Sequence, residues 1–577
     1  MTIRTTRTRI RAGEHSGEMV CLVILLLLAA VLRAWGFSRL GLTHFDEGVY
    51  AISGSWSQPP GKEFPMYGKQ MLFAPPLYFI LVGVVAAAMR MSADQAAIGL
   101  SILSGVATVA LVWWVSRKWF GPVAGMASAA LVAFSEFHIA FARAALTDVL
   151  FGFLFLLALY LVVDAIDHGS VGRSVLAGLA CGAAWNTKYH GWLPVAIVLP
   201  VLLYLFAASN ESRDWRRLAA CWLVISLIAL LCYLPWIAYI QSQEGGYATL
   251  ARYQRKFLSL HWLSNLRQQA AQQLYLDGWL SRLSPLAALA LAWAANRTRW
   301  EAKLAILSLA AALLSGGIAW SGAGVALGLT LTAVPALFRE RTIANWSLLS
   351  ALAGLFVLSP MYKPYARLLI PFSLCVAIAA GLGIKQILAA ARERGPISGE
   401  PKRWTLAFCV IALAGGVTLV MKESRPAPRT WMPTESVRHA VQELGSMLPE
   451  NSIIFVHGAP EVAYYLRPHS NRIVPIDLPI DHEDIESLYR PGGESHFLIT
   501  GRYSRVEPLS RNSLQRLVGS RLQLRRVVPV QPGDVRLLDD SSPTQALAFR
   551  AHPTDAYDLH LYQIARNPGT EQERSGR

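Results

Sequence analysis

Of 577 residues, 54% are hydrophobic and only 16% are charged, with a mean hydropathy of +0.37. Soluble chains carry about 25% charged residues, so a water-soluble enzyme of several domains is excluded, and a polytopic membrane protein with a water-soluble tail is expected. The formal charge of +16 does not point to nucleic acid. The basic residues fall in short clusters between apolar runs, the imprint of positive-inside orientation and of anionic head groups.

Arg4, Arg7, Arg9 and Arg11 precede the first apolar run, Met19 to Phe37. No small-x-small cleavage site follows it, so it reads as a retained anchor with a basic cytoplasmic segment 1–17 ahead of it. A span needs about 20 apolar residues. Candidates are 18–37, 96–116, 121–139, 149–166, 173–187, 191–208, 217–240, 278–295, 303–320, 322–338, 345–360, 365–388 and 404–421. The stretch 73–90, which opens near Pro75-Pro76, decides sidedness. Placed as an interfacial helix on the outer face, it leaves Arg117-Lys118, Arg173, Arg216-Arg217, Arg339 and the cluster 385–403 in the cytoplasm. The expectation is therefore an α-helical membrane domain over 18–422 with about thirteen spans and two long outer loops, 38–95 and 241–277. Long loops in a compact protein are usually functional or disordered, and the aromatic and small polar residues of these two do not suggest disorder.

From about Glu423 the composition changes. NSIIFVHG, RIVPID, HFLITG, LRRVVPV and LHLYQIA read as strands and PEVAYYLR as a helix, which predicts a small external α/β domain over 423–566. Residues 567–577 read as a disordered end. The six cysteines all lie in apolar stretches without a CxxC pair and read as small buried hydrophobes.

The first outer loop opens with THFDEGVYAISG, which places Asp46 and Glu47 at the first exit from the lipid. Ionised carboxylates are costly at such a boundary without partners, and ionisable residues there are functional candidates. Solvated surface acids are the plain alternative. Cations at other outer span ends shift the balance: Arg143 with Asp148 in FHIAFARAALTD, Lys188, Tyr189 and His190 in WNTKYHGW, Lys363 and Arg367 in YKPYARLLIP, and His261 in the long loop. Cations at an outer lipid boundary suit a lipid-linked phosphate, and a carboxylate suits proton removal from an incoming hydroxyl or amine. No His/Asp/Glu cluster has metal-ligand spacing; no cofactor is demanded, and a divalent cation stays open.

The ordered set FDEGVYA, PPLYFIL, ARAALTD, TKYHG and KPYARLLIP resembles the GT-C superfamily of glycosyltransferases, nearest the protein O-mannosyltransferases and the lipid A aminoarabinose transferases. The resemblance covers Met19 to about Val420. It implies a multi-pass cell-membrane enzyme with its site and its C-terminal domain on the non-cytoplasmic side. It also implies inverting transfer from a polyprenyl-phosphate sugar to a protein, lipid or glycan acceptor. Carried over by position, Asp46 is the catalytic acid of the Asp-Glu motif and Glu47 its neighbour. Arg143 and Asp148 match the second acidic loop, Lys188 the basic residue of the Thr-Lys-Tyr stretch, and Lys363 and Arg367 the late basic pair. Members often carry a charged residue or histidine before the Pro-Pro; here it is Ala74, with Lys69 and His261 as substitutes. Two rivals remain: a transporter or flippase of lipid-linked glycans, which would favour mid-membrane charges and inverted repeats, and a scaffold whose external domain binds envelope glycans.

Overall fold

A computed structural model of the chain describes residues 12–57, 74–208, 215–243, 245–295, 322–339, 342–393, 432–450, 452–468, 472–476 and 495–565. The first span is α1 (Ala12–Ala34); it ends before Gly36, at φ 65°, and a short helix α2 (Phe45–Gly54) follows. Then come α3 (Leu77–Met89), α4 (Ala93–Phe120), α5 (Pro122–Ala133), α6 (Glu136–Ala142), α7 (Thr147–His168), α8 (Val171–Trp185), α9 (Leu193–Ala208) and α10 (Trp215–Ser242). The second long loop carries α11 (Gly246–Arg255) and α12 (Trp262–Leu276), and the membrane domain closes with α13 (Trp279–Ala295), α14 (Gly322–Arg339), α15 (Ile343–Leu358) and α16 (Ile370–Glu393).

Among the described residues six helices are long and apolar enough to cross a membrane, or seven if one bent pair counts as a span. The expected figure of about thirteen is not matched there. Several candidates form shorter apolar helices, such as α8 and α9, and 303–320 and 404–421 lie outside the described residues. The stretch 73–90 gives only the 13-residue α3, too short for a span. The disordered end expected over 567–577, Cys409 and Lys69 also lie outside the described residues.

The segment expected as one span, 121–139, is broken: α5 and α6 meet at 61°. Ser135 caps α6 by accepting from the His138 N–H. The Val132 and Ala133 carbonyls freed at the break receive the buried Arg33 guanidinium at 3.0 and 3.1 Å. Buried carbonyls need donors, and a side chain inserted from a neighbouring helix supplies them, which is why apolar periodicity alone did not reveal the break.

The C-terminal residues fold as α17 (Ser436–Met447), β1 (Ile453–His457), α18 (Pro460–Leu466), β2 (Arg472–Ile476), β3 (His496–Thr500), α19 (Arg502–Val506), α20 (Pro508–Leu517), β4 (Leu522–Val528), α21 (Asp534–Asp540), α22 (Pro543–Ala551) and β5 (Leu559–Ile564). The sheet order is β2-β1-β3-β5-β4, with β2, β1 and β3 parallel and β5 antiparallel to both neighbours. The five expected strands are thus the five found. β1 and β3 are buried along their length, as the unbroken apolar runs IIFV and FLI require of strands covered on both faces.

This domain is seated on one end of the membrane domain by a buried polar seam. Asp94 accepts from the Tyr464 and Tyr465 hydroxyls at 3.1 and 3.0 Å. Arg536 pairs with Glu461 at 2.8 Å and donates to the Thr43 carbonyl. The Tyr275 hydroxyl and the Gln272 amide, both on α12, donate to Asp534 and to the Leu538 carbonyl on α21. At the centre α2 and α18 touch through Gly48, where a Cβ would stand 2.1 Å from the Glu461 backbone nitrogen. Gly48→Ala must therefore push the two helices apart. Overpacking of this kind costs about 1–3 kcal/mol, and thermal unfolding should show a lower midpoint, with faster proteolysis within 432–565. An unchanged midpoint would contradict the close approach.

Candidate active site

The site is built on the N-terminus of α2. His44 is its N-cap: the ring Nδ1 accepts the Asp46 N–H at 3.0 Å. Glu47 completes a capping box, its Oε2 accepting from the Thr43 and His44 N–H groups at 2.7 and 2.8 Å. Its Oε1 takes the Ala145 N–H, from the turn before α7, at 2.8 Å. Both oxygens of this buried carboxylate are thus committed to backbone donors, the arrangement that satisfies the open end of a helix. Asp46, one residue earlier on the helix, faces the other way.

Three further segments meet Asp46. Arg367 lies just before α16, and its Nη1 stands 2.8 Å from Asp46 Oδ2. Its Nη2 stands 3.2 Å from Asp539 Oδ2, at the end of α21 in the C-terminal domain. Asp539 Oδ2 is also 3.0 Å from His44 Nε2. Lys188, on the turn between α8 and α9, pairs at 2.5 Å with Asp148 in the first turn of α7. That turn is tight, since a Cβ on Gly191 would stand 2.2 Å from the Ala184 backbone; it aims Lys188, Tyr189 and His190 together.

These groups open on a cavity of about 730 Å³. Asp46, Tyr50, Lys188, Tyr189, Tyr362, Tyr365 and Arg367 line it, with Gln254 and Arg255 from α11. Leu193, Leu355, Leu358, Leu368 and Pro371, at the ends of α9, α15 and α16, add apolar walls. Ala74, where a charged residue or histidine was expected on resemblance, is in the lining too. Charged groups and apolar helix ends thus share one chamber.

Not every expected residue lies there. Arg143 donates to the Arg33 and Trp35 carbonyls at 3.0 and 2.6 Å and so closes the C-terminus of α1; it does not line the cavity. The reason is local: the last carbonyls of a helix attract a nearby guanidinium. Lys363 is exposed, its ammonium 4.9 Å from the centre of the Phe257 ring, which is itself in the lining. His261 is an exposed N-cap position on α12, outside the lining. Asp148 reaches the site only through Lys188. Conversely, His44 and Asp539 were not foreseen. His44 sat inside the quoted motif and its capping geometry was the missing signal; nothing in RLLDDS marks Asp539.

Burial works against a charge on Asp46, but Arg367 and then His44 outweigh it and hold the carboxyl below its usual range. Burial likewise opposes a charge on His44, while the Asp539 hydrogen bond and the Asp46 carboxylate pull its pKa up to about 9. Where Nδ1 accepts the cap N–H, a ring proton sits on Nε2, toward Asp539; a second proton on Nδ1 would break the cap. Among the described residues no three His, Cys, Asp or Glu side chains gather as a metal-holding set; between Asp46 and Asp539 the Arg367 guanidinium stands where a cation would.

Residues 74–239 match the family model described as dolichyl-phosphate-mannose-protein mannosyltransferase. The chain is 33% identical over 159 residues to an undecaprenyl phosphate-alpha-4-amino-4-deoxy-L-arabinose arabinosyl transferase of Pseudomonas paraeruginosa, covering 26% of this chain and 28% of that one. It is 27% identical over 240 residues to the protein of the same name from Pseudomonas savastanoi pv. phaseolicola, covering 38% and 42%. The matched part is therefore less than half the length of these relatives. Among solved structures, ArnT from Cupriavidus metallidurans bound to undecaprenyl phosphate aligns with a TM-score of 0.55 at 13% identity, over 96% of this chain and 98% of that one. The Archaeoglobus fulgidus oligosaccharyltransferase in complex with Zn and sulfate aligns with a TM-score of 0.57 at 12% identity, over 94% and 88%.

The Asp148–Lys188 pair is nearly dry, with side-chain exposures of 1% and 14%. Removing one partner of a buried pair costs about 3–5 kcal/mol, whereas replacing both with apolar groups is close to neutral. Lys188→Met should lower the unfolding midpoint markedly and Asp148→Leu/Lys188→Met should restore most of it. Equal losses in the single and double variants would refute the pairing.

Proposed function

We propose that this chain, which has the fold of the GT-C glycosyltransferases, moves a sugar from a polyprenyl-phosphate donor to an acceptor at the outer membrane face. The observation that carries the reading is one carboxylate, Asp46, and three cations, Lys188, Arg255 and Arg367, lining a cavity that also has the apolar ends of α9, α15 and α16 for walls. A lipid-linked phosphate has this division of polar head and apolar tail. The names of the relatives, undecaprenyl phosphate aminoarabinose and dolichyl phosphate mannose transferases, support the same donor class.

The outer-face assignment rests on helix direction. α15 ends at the cavity, whereas α9 and α16 begin there. Arg117-Lys118 at the end of α4, Arg173 at the start of α8 and Arg339 at the end of α14 mark the opposite face, the cytoplasmic one by charge. The C-terminal domain lies on the cavity side.

In the reaction, an acceptor hydroxyl or amine attacks the anomeric carbon and gives its proton to Asp46. The bond from that carbon to the phosphate oxygen breaks on the opposite side, and its electron pair leaves with the phosphate; the configuration inverts. Lys188 donates one N–H to Asp148 and keeps two for the phosphate. Arg367 lies beside it and holds the base. The acceptor, whether protein, lipid or glycan, approaches under the loop helices α11 and α12, which shield the sugar from water.

Loss of a general base lowers rate by about 10²–10⁴-fold, so Asp46→Asn should lose transfer by that factor while still binding undecaprenyl phosphate. Because the carboxyl is held low, kcat/KM should stay level through weak acid and fall only below the range in which an ordinary aspartate titrates. Arg367→Gln removes the largest group lowering it, so burial prevails and the acid limb should move up in pH. Full activity of Asp46→Asn, or an acid limb unmoved by Arg367→Gln, would defeat the assignment.

A further inference from the structure

Asp539 comes from a different domain than Asp46, yet one of its oxygens lies between two groups that hold Asp46. Toward one side it faces His44 Nε2 at 3.0 Å, and toward the other Arg367 Nη2 at 3.2 Å. Its side chain is only 4% exposed. His44 in turn fixes the Asp46 backbone through the Nδ1 cap, and Arg367 fixes the Asp46 carboxylate through Nη1. A carboxylate beside one imidazole nitrogen places the proton there and leaves the lone pair on the other. The cap on Asp46 requires that tautomer.

We infer that Asp539 is a positioning residue for Asp46, supplied by the C-terminal domain, and that the active site is incomplete until that domain is seated. This rests on Asp46 being the base. α21, which carries Asp539 in its last turn, is held from three sides independently of that carboxylate. Tyr275 bonds Asp534, Gln272 bonds the Leu538 carbonyl, and Arg536 pairs with Glu461. The seat is therefore retained when Asp539 is changed, and the position of Asp46 is what changes. The same contacts tie α21 to α12, so the outer loop and the base share one support.

The test uses the full-length protein in lipid. Donors are polyprenyl-phosphate mannose and polyprenyl-phosphate aminoarabinose, with envelope extract as acceptor and release of polyprenyl phosphate as the readout. Misplacing a reacting group by about 1 Å costs about 10²-fold, so Asp539→Ala should lower kcat by about that factor and leave donor KM within about threefold. Asp539→Asn keeps the volume and an acceptor for His44 but not the ion pair with Arg367, and should give an intermediate loss. Asp539→Glu should recover most of the rate. Losses from His44→Ala and Asp539→Ala should be non-additive, since they break one chain of contacts. A purely structural role would instead show as altered proteolysis within 432–565 and additive losses. Wild-type kcat in Asp539→Ala, or additivity with His44→Ala, overturns the inference. If Asp46→Asn is inactive while Asp539→Ala is normal, only this inference falls; if the wild type releases no polyprenyl phosphate from either donor, the glycosyltransferase reading falls with it.

Discussion

The guanidinium of Arg367, held between Asp46 and Asp539, is the interaction on which the rest of this molecule turns. A buried carboxylate alone would take up a proton or force water into the protein. Two of them, Asp46 and Asp539, from opposite ends of the chain, are made tolerable by one planar cation with forked donors. A lysine in that place would offer a point charge and could not face both acids along separate N–H edges. The pair of domains is therefore joined at the chemistry itself, with the hydrogen-bonded seam around Asp94, Glu461 and Arg536 as its outer support.

Around this centre the fold repeats one device, in which chain ends and helix ends are closed by side chains from elsewhere. Glu47 gathers the N–H groups of Thr43, His44 and Ala145, and so ties α2 to the turn before α7. Arg143 closes α1, and Arg33 closes the break between α5 and α6. Each of these lies where water is scarce, so each orphan backbone group must find a partner within the protein. The result is a rigid floor beneath Asp46 and Lys188, and rigidity is what a site of fixed geometry requires.

Much of this was legible in the sequence, and the reason differs by element. Asp46, Lys188 and Arg367 could be read because ionisable groups at outer span ends are rare and costly, so each stands out. The five strands of the C-terminal sheet were legible because short β-branched runs such as IIFV and RIVPI are bounded by turn residues. Arg143 stood out by the same rule as Lys188, yet it binds carbonyls of α1; which partner a cation finds depends on tertiary neighbours that spacing does not encode. Glu47 was expected as an acid beside the base and proves to be a capping residue. Asp539 and His44 were invisible for the complementary reason: an aspartate in a polar tail and a histidine before a helix are ordinary until the domains meet.

The charges in the chamber also constrain how a donor could be held. Asp46, Asp148 and Asp539 face Lys188 and Arg367, and Arg255 adds a third cation to the lining, so acids and cations come close to balance. A sugar phosphodiester, with its single negative charge, gains little from so balanced a set. Its affinity then comes largely from the lipid, against Leu193, Leu355, Leu358 and Leu368, where each buried CH₂ contributes about 0.8 kcal/mol. The picture changes as the bond to the sugar breaks. In the proposed reaction the phosphate would acquire a second charge while Asp46 gave up its own to the arriving proton, and Arg367, relieved of one carboxylate, would be free to answer the new one. On that proposal binding strength would fall to the apolar wall and charge stabilisation to the transition state, the division that raises turnover rather than ground-state affinity.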